Sequence, residues 1–247
     1  MITFLASSPE IVPMRRRRLP GPWNILLFAA ALASLTLLVW SAWLKTNQPY
    51  DGIVWTISTG QVLEVDPEGP AFGMLQAEDV ITAIDGTPLE LARPVYDGVY
   101  PGDAIVFSVL RGEGVHLVEF RLAAPSLGVI VGRLVPLVVA LVFWAVGTAA
   151  IAFGSTLGQS RLFFMACLIS SAVLTSGSIS AVGPSWGTSL FNSALWLLGP
   201  LLVHLHLHFP KTRAMSKWRF PLAVLYSLAV MGAIAHLIWN AESHPPS

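Results

Sequence analysis

Charge is what this 247-residue sequence has least of. Asp, Glu, Lys and Arg make up 11 % of it, against 54 % hydrophobic residues. Soluble globular chains carry about 25 % charged residues, so an ordinary soluble protein is excluded for most of the length. Cysteine is nearly absent. The single Cys167 cannot form an internal disulfide and has no metal-ligand spacing around it, so it reads as a small buried hydrophobe. There is no His-Glu-x-x-His, no Gly-x-Ser-Gly, no phosphate-cradling glycine loop and no basic nucleic-acid patch. Nucleophile, base and orienting group never stand together; Ser176 or Ser178 with His236 is the nearest approach. The chain is therefore expected to be no enzyme, to carry no cofactor and to bind no nucleic acid.

The charge that is present is segregated. Twelve of the fourteen acidic residues lie between Asp51 and Arg121, with only Arg93, Arg111 and Arg121 as basic company, a formal charge of −9. Outside that stretch stand five apolar runs, each about as long as the 20 residues a helix needs to cross a bilayer: Trp23 to Leu44, Ser126 to Phe153, Leu162 to Val182, Ser189 to Phe209 and Phe220 to Trp239. In lipid such runs must satisfy their own backbone, so helices are expected.

The short loops orient them. Arg15 to Arg18 precede the first run and Arg161 lies between the second and third. Lys211, Arg213, Lys217 and Arg219 lie between the fourth and fifth. Gly183 to Thr188 and the tail 240–247 hold no Lys or Arg. Nine of the fourteen basic residues then fall on one side, which the positive-inside asymmetry makes cytoplasmic. The expected layout is a cytoplasmic tail over 1–22, helix 23–44, an extracytoplasmic domain over 46–124, and helices 126–153, 162–182 and 189–209. A cytoplasmic loop over 210–219, helix 220–239 and an outer tail over 240–247 complete it, in the cell membrane. The first run is too long for a signal-peptide core and has no cleavage site after it, so it is expected to stay as an anchor.

Between the first two runs the pattern changes to short strands with turn punctuation. "QVLEV" (Gln61 to Val65) ends in Asp66-Pro67-Glu68-Gly69-Pro70, and "VITAI" (Val80 to Ile84) ends in Asp85-Gly86. "LARPVYDGVY" reads as a short helix compromised by Pro94. "AIVFSVL" alternates with Ile105, Phe107 and Val109 on one face. Arg111 to Gly114 turns the chain, and "VHLVEFRL" returns with Val118, Phe120 and Leu122 on one face.

"VLEVDPEGPAFGMLQAEDVITAIDGTPL" followed by "YPGDAIVFSVLRGEG" resembles the bacterial PDZ domain over roughly Gly52 to Leu122. Its landmarks are Pro70-Ala71, Leu75, Asp79, Asp85-Gly86 and Pro101-Gly102-Asp103. Met74 and Glu78 stand where that family usually has glycine. Together with the five expected membrane helices, the resemblance implies a helical membrane bundle with an inserted extracytoplasmic α+β PDZ-like domain between the first two. It also implies peptide binding by strand addition. The carboxylate loop would lie near Gly52, Ile53 and Val54, with the groove between Gln61, Val62, Leu63 and a short helix carrying Val95 and Val99. Asp51 and the net negative charge oppose an anionic terminus, so a spacer that binds nothing, or an internal-strand ligand, stays open.

One helix, an external PDZ-like domain and then a bundle ending in "LHLHFPKTR" resembles the N-terminal input region of ComP-type sensor histidine kinases. That resemblance implies a truncated, split or degenerate input module with a cytoplasmic or membrane kinase as partner. The alternative is a membrane scaffold whose PDZ-like domain presents clients to a membrane protease. His204, His206 and His208 read as polar tips near an interface rather than metal ligands, with 204 and 208 on one helix face. Arg133 is expected to snorkel to the outer boundary. Ala172, Ser176 and Ser180 form a small-residue stripe for close helix approach.

Overall fold

The structure, a computed structural model, describes residues 22–56, 59–89, 95, 96, 98–153, 157–180, 185–208 and 217–243. Arg15 to Arg18, Arg93 and Pro94, the Gly183-Pro184 pair, the Phe209-Pro210 motif, Lys211 and Arg213 lie outside the described residues.

Among the described residues five helices are long and apolar enough to cross a membrane: α1 (Pro22–Asn47), α2 (Leu127–Phe153), α3 (Leu157–Ser180), α4 (Ser185–His208) and α5 (Arg219–Ser243). Large apolar side chains such as Phe28, Val39, Val138, Phe153 and Met231 point outward from them. In water that surface would be prohibitive, and in lipid it is the expected face. The protein is therefore membrane-embedded.

The helices outrun the apolar runs that announce them. α3 starts at Leu157 instead of Leu162, α4 at Ser185 instead of Ser189, and α5 continues to Ser243 instead of Trp239. Two of these added ends place polar side chains on neighbouring helices: Arg161 donates to Asn24 Oδ1 at 2.9 Å, and the Thr188 hydroxyl donates to the Ser180 carbonyl at 3.1 Å. Backbone demand for helix does not stop where hydrophobicity does.

α3 is the central helix, packed on α1, α2 and α4, while α5 packs on α4. Its buried face carries Ser171, Thr175 and Ser176. Ser176 donates to the Ala172 carbonyl within its own helix, which leaves a smooth small-residue surface. α2 packs tightly on α3 at Gly147, where a Cβ would come 2.7 Å from the Cys167 Cβ. Cys167 is buried there, as expected of a small hydrophobe.

The residues between α1 and α2 form one antiparallel sheet. Its strands are β1 (Ile53–Thr56), β2 (Gln61–Val65), β3 (Val80–Ile84), β4 (Thr87–Pro88), β5 (Ala104–Arg111) and β6 (Gly114–Arg121). The order is β1-β2-β3-β5-β6, with the short β4 paired to β3. The alternation in β5 is realised fully: Ile105, Phe107 and Val109 are inaccessible to solvent. Phe107 meets Phe120 edge-on at 5.3 Å, and Val62, Ala71, Leu75, Ile81 and Leu122 complete the core. Each aliphatic or aromatic side chain so buried contributes roughly 2 kcal/mol. Half of the stretch Leu91 to Tyr100, expected as a short helix, lies outside the described residues; within the other half Val95, Tyr96 and Gly98 lie in turns.

Candidate functional site

The sheet domain is joined to the helices at Gln48 to Ile53 on the way in and at Ala123 to Ser126 on the way out. The two connections pair with each other. Tyr50 N–H donates to the Ala123 carbonyl and Ala123 N–H to the Tyr50 carbonyl, both at 2.9 Å. Beneath them sits Arg133, in the second turn of α2. Its Nη1 donates to the Gln48 carbonyl at 2.6 Å and its Nη2 to the Pro49 carbonyl at 3.1 Å. The Lys45 carbonyl lies 3.4 Å from Nη1. Arg133 therefore does not simply reach for solvent, as snorkelling would have it. It takes carbonyls that the end of α1 leaves without helical partners.

Two tyrosine–aspartate pairs extend this junction into the sheet. Tyr50 hydroxyl donates to Asp66, at the end of β2, and Tyr96 hydroxyl donates to Asp51. Asp51 is buried, and its other oxygen accepts the Ile53 N–H at 3.3 Å. Burial pushes the Asp51 carboxyl above the ordinary range, opposed by the Tyr96 hydroxyl, the Ile53 N–H and the positive charge of Arg133. Burial, then the negative charge of Asp51, pushes Tyr96 well above the ordinary phenol value. Burial, then the hydrogen bond to Asp66, pushes Tyr50 up to about 12. The Tyr50 hydroxyl in turn holds Asp66 below the usual carboxylate range. At neutral pH both phenols are fully protonated donors.

A second anchor lies across the sheet. Arg111 grips buried Asp79 with two hydrogen bonds, Nε to Oδ1 at 2.7 Å and Nη2 to Oδ2 at 2.6 Å, and also donates to the Met74 carbonyl at 3.0 Å. Asp79 Oδ2 accepts the Gln76 N–H at 2.8 Å. The Arg111 guanidinium is the largest cause holding the Asp79 carboxyl low.

The residues expected to form a groove do not all meet. Gly52 has a φ of 76° and packs so closely on Gly69 that a Cβ would lie 2.6 Å from the Gly69 Cα. Ile53 and Val54 begin β1. Gln61, Val62 and Leu63 lie in β2, and β2 has neighbours on both sides. β1 pairs along one edge, and Val62 gives both backbone groups to the other, its N–H to Asp79 and its carbonyl to the Glu78 N–H. A groove on the Gln61 to Leu63 edge is therefore closed. Among the described residues the sheet has two edge strands, β1, which pairs only with β2, and β6, which pairs only with β5; of these, β1 leads directly out of the loop that Arg133 holds. Val95 is buried in the core and Val99 packs half-buried against it, on the side that also carries Tyr96.

Tyr50, Asp66 and Tyr96 escape a sequence reading. Their signal is weak: two tyrosines flanking an acidic pair in a chain with only four tyrosines. Among the helices, His204 turns Nδ1 to the Tyr226 hydroxyl at 3.1 Å and meets the His208 ring at 4.8 Å, while His206 faces outward. His236 is 2.7 Å from Asn192 Nδ2, and the Ser176 and Ser178 hydroxyls donate to carbonyls of their own helix. Among the described residues no three His, Cys, Asp or Glu side chains form a metal-binding cluster.

No family model matches the chain, and no curated protein matches it.

Proposed function

We propose that the chain is a non-catalytic membrane receptor or input module whose PDZ-like sheet domain takes an extended peptide or protein segment along β1. The observation that carries the reading is the unpaired edge of β1, which begins at a loop tied to α1 and α2 through Arg133. A strand added there would bear on Tyr50 to Ile53, the residues between edge and clamp. Its effect would reach the helices through backbone carbonyls rather than through a flexible tether.

Asp51 sets the chemistry of the ligand. The Ile53 N–H, a donor at the start of this edge, is already taken by the Asp51 carboxylate. The domain's formal charge of −9 also repels an anionic terminus. The favoured ligand is an internal extended segment, neutral or basic, rather than a free C-terminal carboxylate. The basic loops support a cytoplasmic N-terminus and an extracytoplasmic sheet domain in the cell membrane. A kinase in the membrane or cytoplasm would then be the partner that reads the helices.

The test uses the full chain in lipid nanodiscs and a panel of short Val-, Ile- and Lys-rich peptides, each with a free and an amidated C-terminus. Amide exchange at Ile53 to Thr56 should slow with the amidated peptides at least as much as with the free acids. If no peptide protects β1, strand addition is wrong. If only free acids do, the role given to Asp51 is wrong.

A further inference from the structure

Where the sheet domain meets the helices lies a cavity of about 820 Å³. Trp40 and Trp43 of α1, Ile130 of α2, and Tyr96 and Tyr100 of the domain give it a mostly apolar and aromatic wall. One cation lines it, Lys45 in the last turn of α1. Lys45 is half-buried, and among the described residues no carboxylate or other acceptor holds its ammonium. Arg133, which hydrogen-bonds the Lys45 carbonyl, is likewise without a carboxylate in salt-bridge range. The acid of this corner, Asp51, is buried and already bonded to Tyr96 and Ile53. The ends of α1 and α2 thus present a positive corner at the junction, while the domain's nearby carboxylate is already occupied.

A half-buried ammonium facing an apolar cavity without a counter-ion is an incomplete arrangement. An anion carried on an apolar body would complete it. The level in the molecule fits, because the cavity lies where lipid-compatible helix gives way to polar sheet, and Trp40 and Trp43 are the kind of residue that sits at a headgroup boundary. The volume falls among those of small-molecule sites, about 300–1,000 Å³, which suits a head group with the upper part of its chains.

We propose that this cavity is a binding site for an anionic phospholipid, with the phosphate on Lys45 and the acyl chains against Trp40 and Trp43. The site is independent of peptide binding at β1. A lipid held there would touch Tyr96, Gly98 and Tyr100 of the domain as well as α1 and α2, so it would fasten the domain to the membrane surface.

The test places the full chain in phosphatidylcholine nanodiscs with rising fractions of brominated phosphatidylglycerol, whose bromines quench nearby tryptophan. Quenching should saturate at a low fraction of the anionic lipid. Brominated phosphatidylcholine should give only a shallow, non-saturating slope. Lys45→Gln should raise the half-saturating fraction about tenfold, the scale expected for losing a charged hydrogen bond, while Lys45→Arg largely keeps it. The double variant Trp40→Phe, Trp43→Phe should lose the saturable part, which tests the location without altering the charge. The proposal is overturned if the two lipids quench along one curve or if Lys45→Gln leaves the curve unmoved. It is equally overturned if free brominated fatty acid or inorganic phosphate displaces the phosphatidylglycerol at lower concentration, which would assign the site to a different anion.

Discussion

Arg133 Nη1 lies 2.6 Å from the carbonyl oxygen of Gln48, a contact between residues 85 positions apart. One guanidinium thereby joins the exit of α1 to the second turn of α2, across the whole inserted domain. A fork of donors on carbonyls that have lost their helical partners meets two needs at once. It satisfies the Gln48 and Pro49 carbonyls just past α1, and it ties the entry to the domain to α2.

Replacing Arg133 should therefore loosen the junction more than the core. Arg133→Gln is expected to cost about 2 kcal/mol, the scale of hydrogen bonds made by a charged donor. Amide exchange should quicken at Tyr50 to Ile53 while Ile105 to Val109 stay protected. Arg133→Lys should recover only part, because a single ammonium cannot span the Gln48 and Pro49 carbonyls as a planar fork does. Uniform acceleration across the sheet would argue that Arg133 supports the fold rather than the joint.

The Asp79–Arg111 pair should behave differently. Asp79 is buried and Arg111 is about one-third exposed, so removing either leaves the other short of partners. Asp79→Ala is expected to destabilise the domain by about 3 kcal/mol, toward the lower end for a broken buried pair because Arg111 can turn to water. Arg111→Met should cost at least as much, since it strands a buried carboxylate. A double-mutant cycle on the full chain in detergent, followed by thermal unfolding, measures the coupling. A coupling near zero would mean that the bidentate geometry contributes nothing net.

The alkaline limit of the domain follows from Tyr50. Burial and Asp66 push its phenol up to about 12, whereas an unfolded tyrosine titrates near 10. Between these values the folded state keeps a proton that the unfolded chain has lost. Its stabilising contribution is complete below about pH 10 and is lost as the pH rises through about 12. Tyr96, raised in the same direction, acts with the same sign. The domain should lose near-ultraviolet circular dichroism as the pH rises past 10, and Tyr50→Phe should make that loss shallower. If Tyr50→Phe removes an ordinary, unshifted tyrosinate signal instead, the hydroxyl is not held as described.

What the sequence made legible was periodic. The 2.0 alternation of Ile105, Phe107 and Val109 fixed which face of β5 is buried, and apolar run length found all five helices. Helix starts were not legible, because Arg161 and Thr188 find partners that hydropathy does not see. Which strand edges stay open was not legible either. "QVLEV" is the more regular strand, yet pairing, not regularity, decides which edge is open, and Val62 spends both backbone groups on Glu78 and Asp79. Arg133 was visible as an anomaly in an apolar run, but its partners, carbonyls 84 and 85 residues away, left no mark on the sequence.

The two positions where glycine was expected divide in a way that only the backbone could decide. Glu78 has a φ of 75°, in the left-handed region that favours glycine, whereas Met74 is not among the residues with positive φ. The positive φ falls one residue earlier, at Gly73, with 77°. Glu78 thus carries strain that Met74 does not. Relief of a left-handed non-glycine residue is worth roughly 1–2 kcal/mol, less the entropy glycine adds to the unfolded chain. Glu78→Gly should stabilise the domain by about 0.5 to 1 kcal/mol, and Met74→Gly should destabilise it by a similar amount. Both are read by thermal unfolding of the full chain in detergent. If both variants destabilise, the Glu78 side chain makes a contribution that outweighs its backbone strain, and the turn before β3 is held by something other than its torsion.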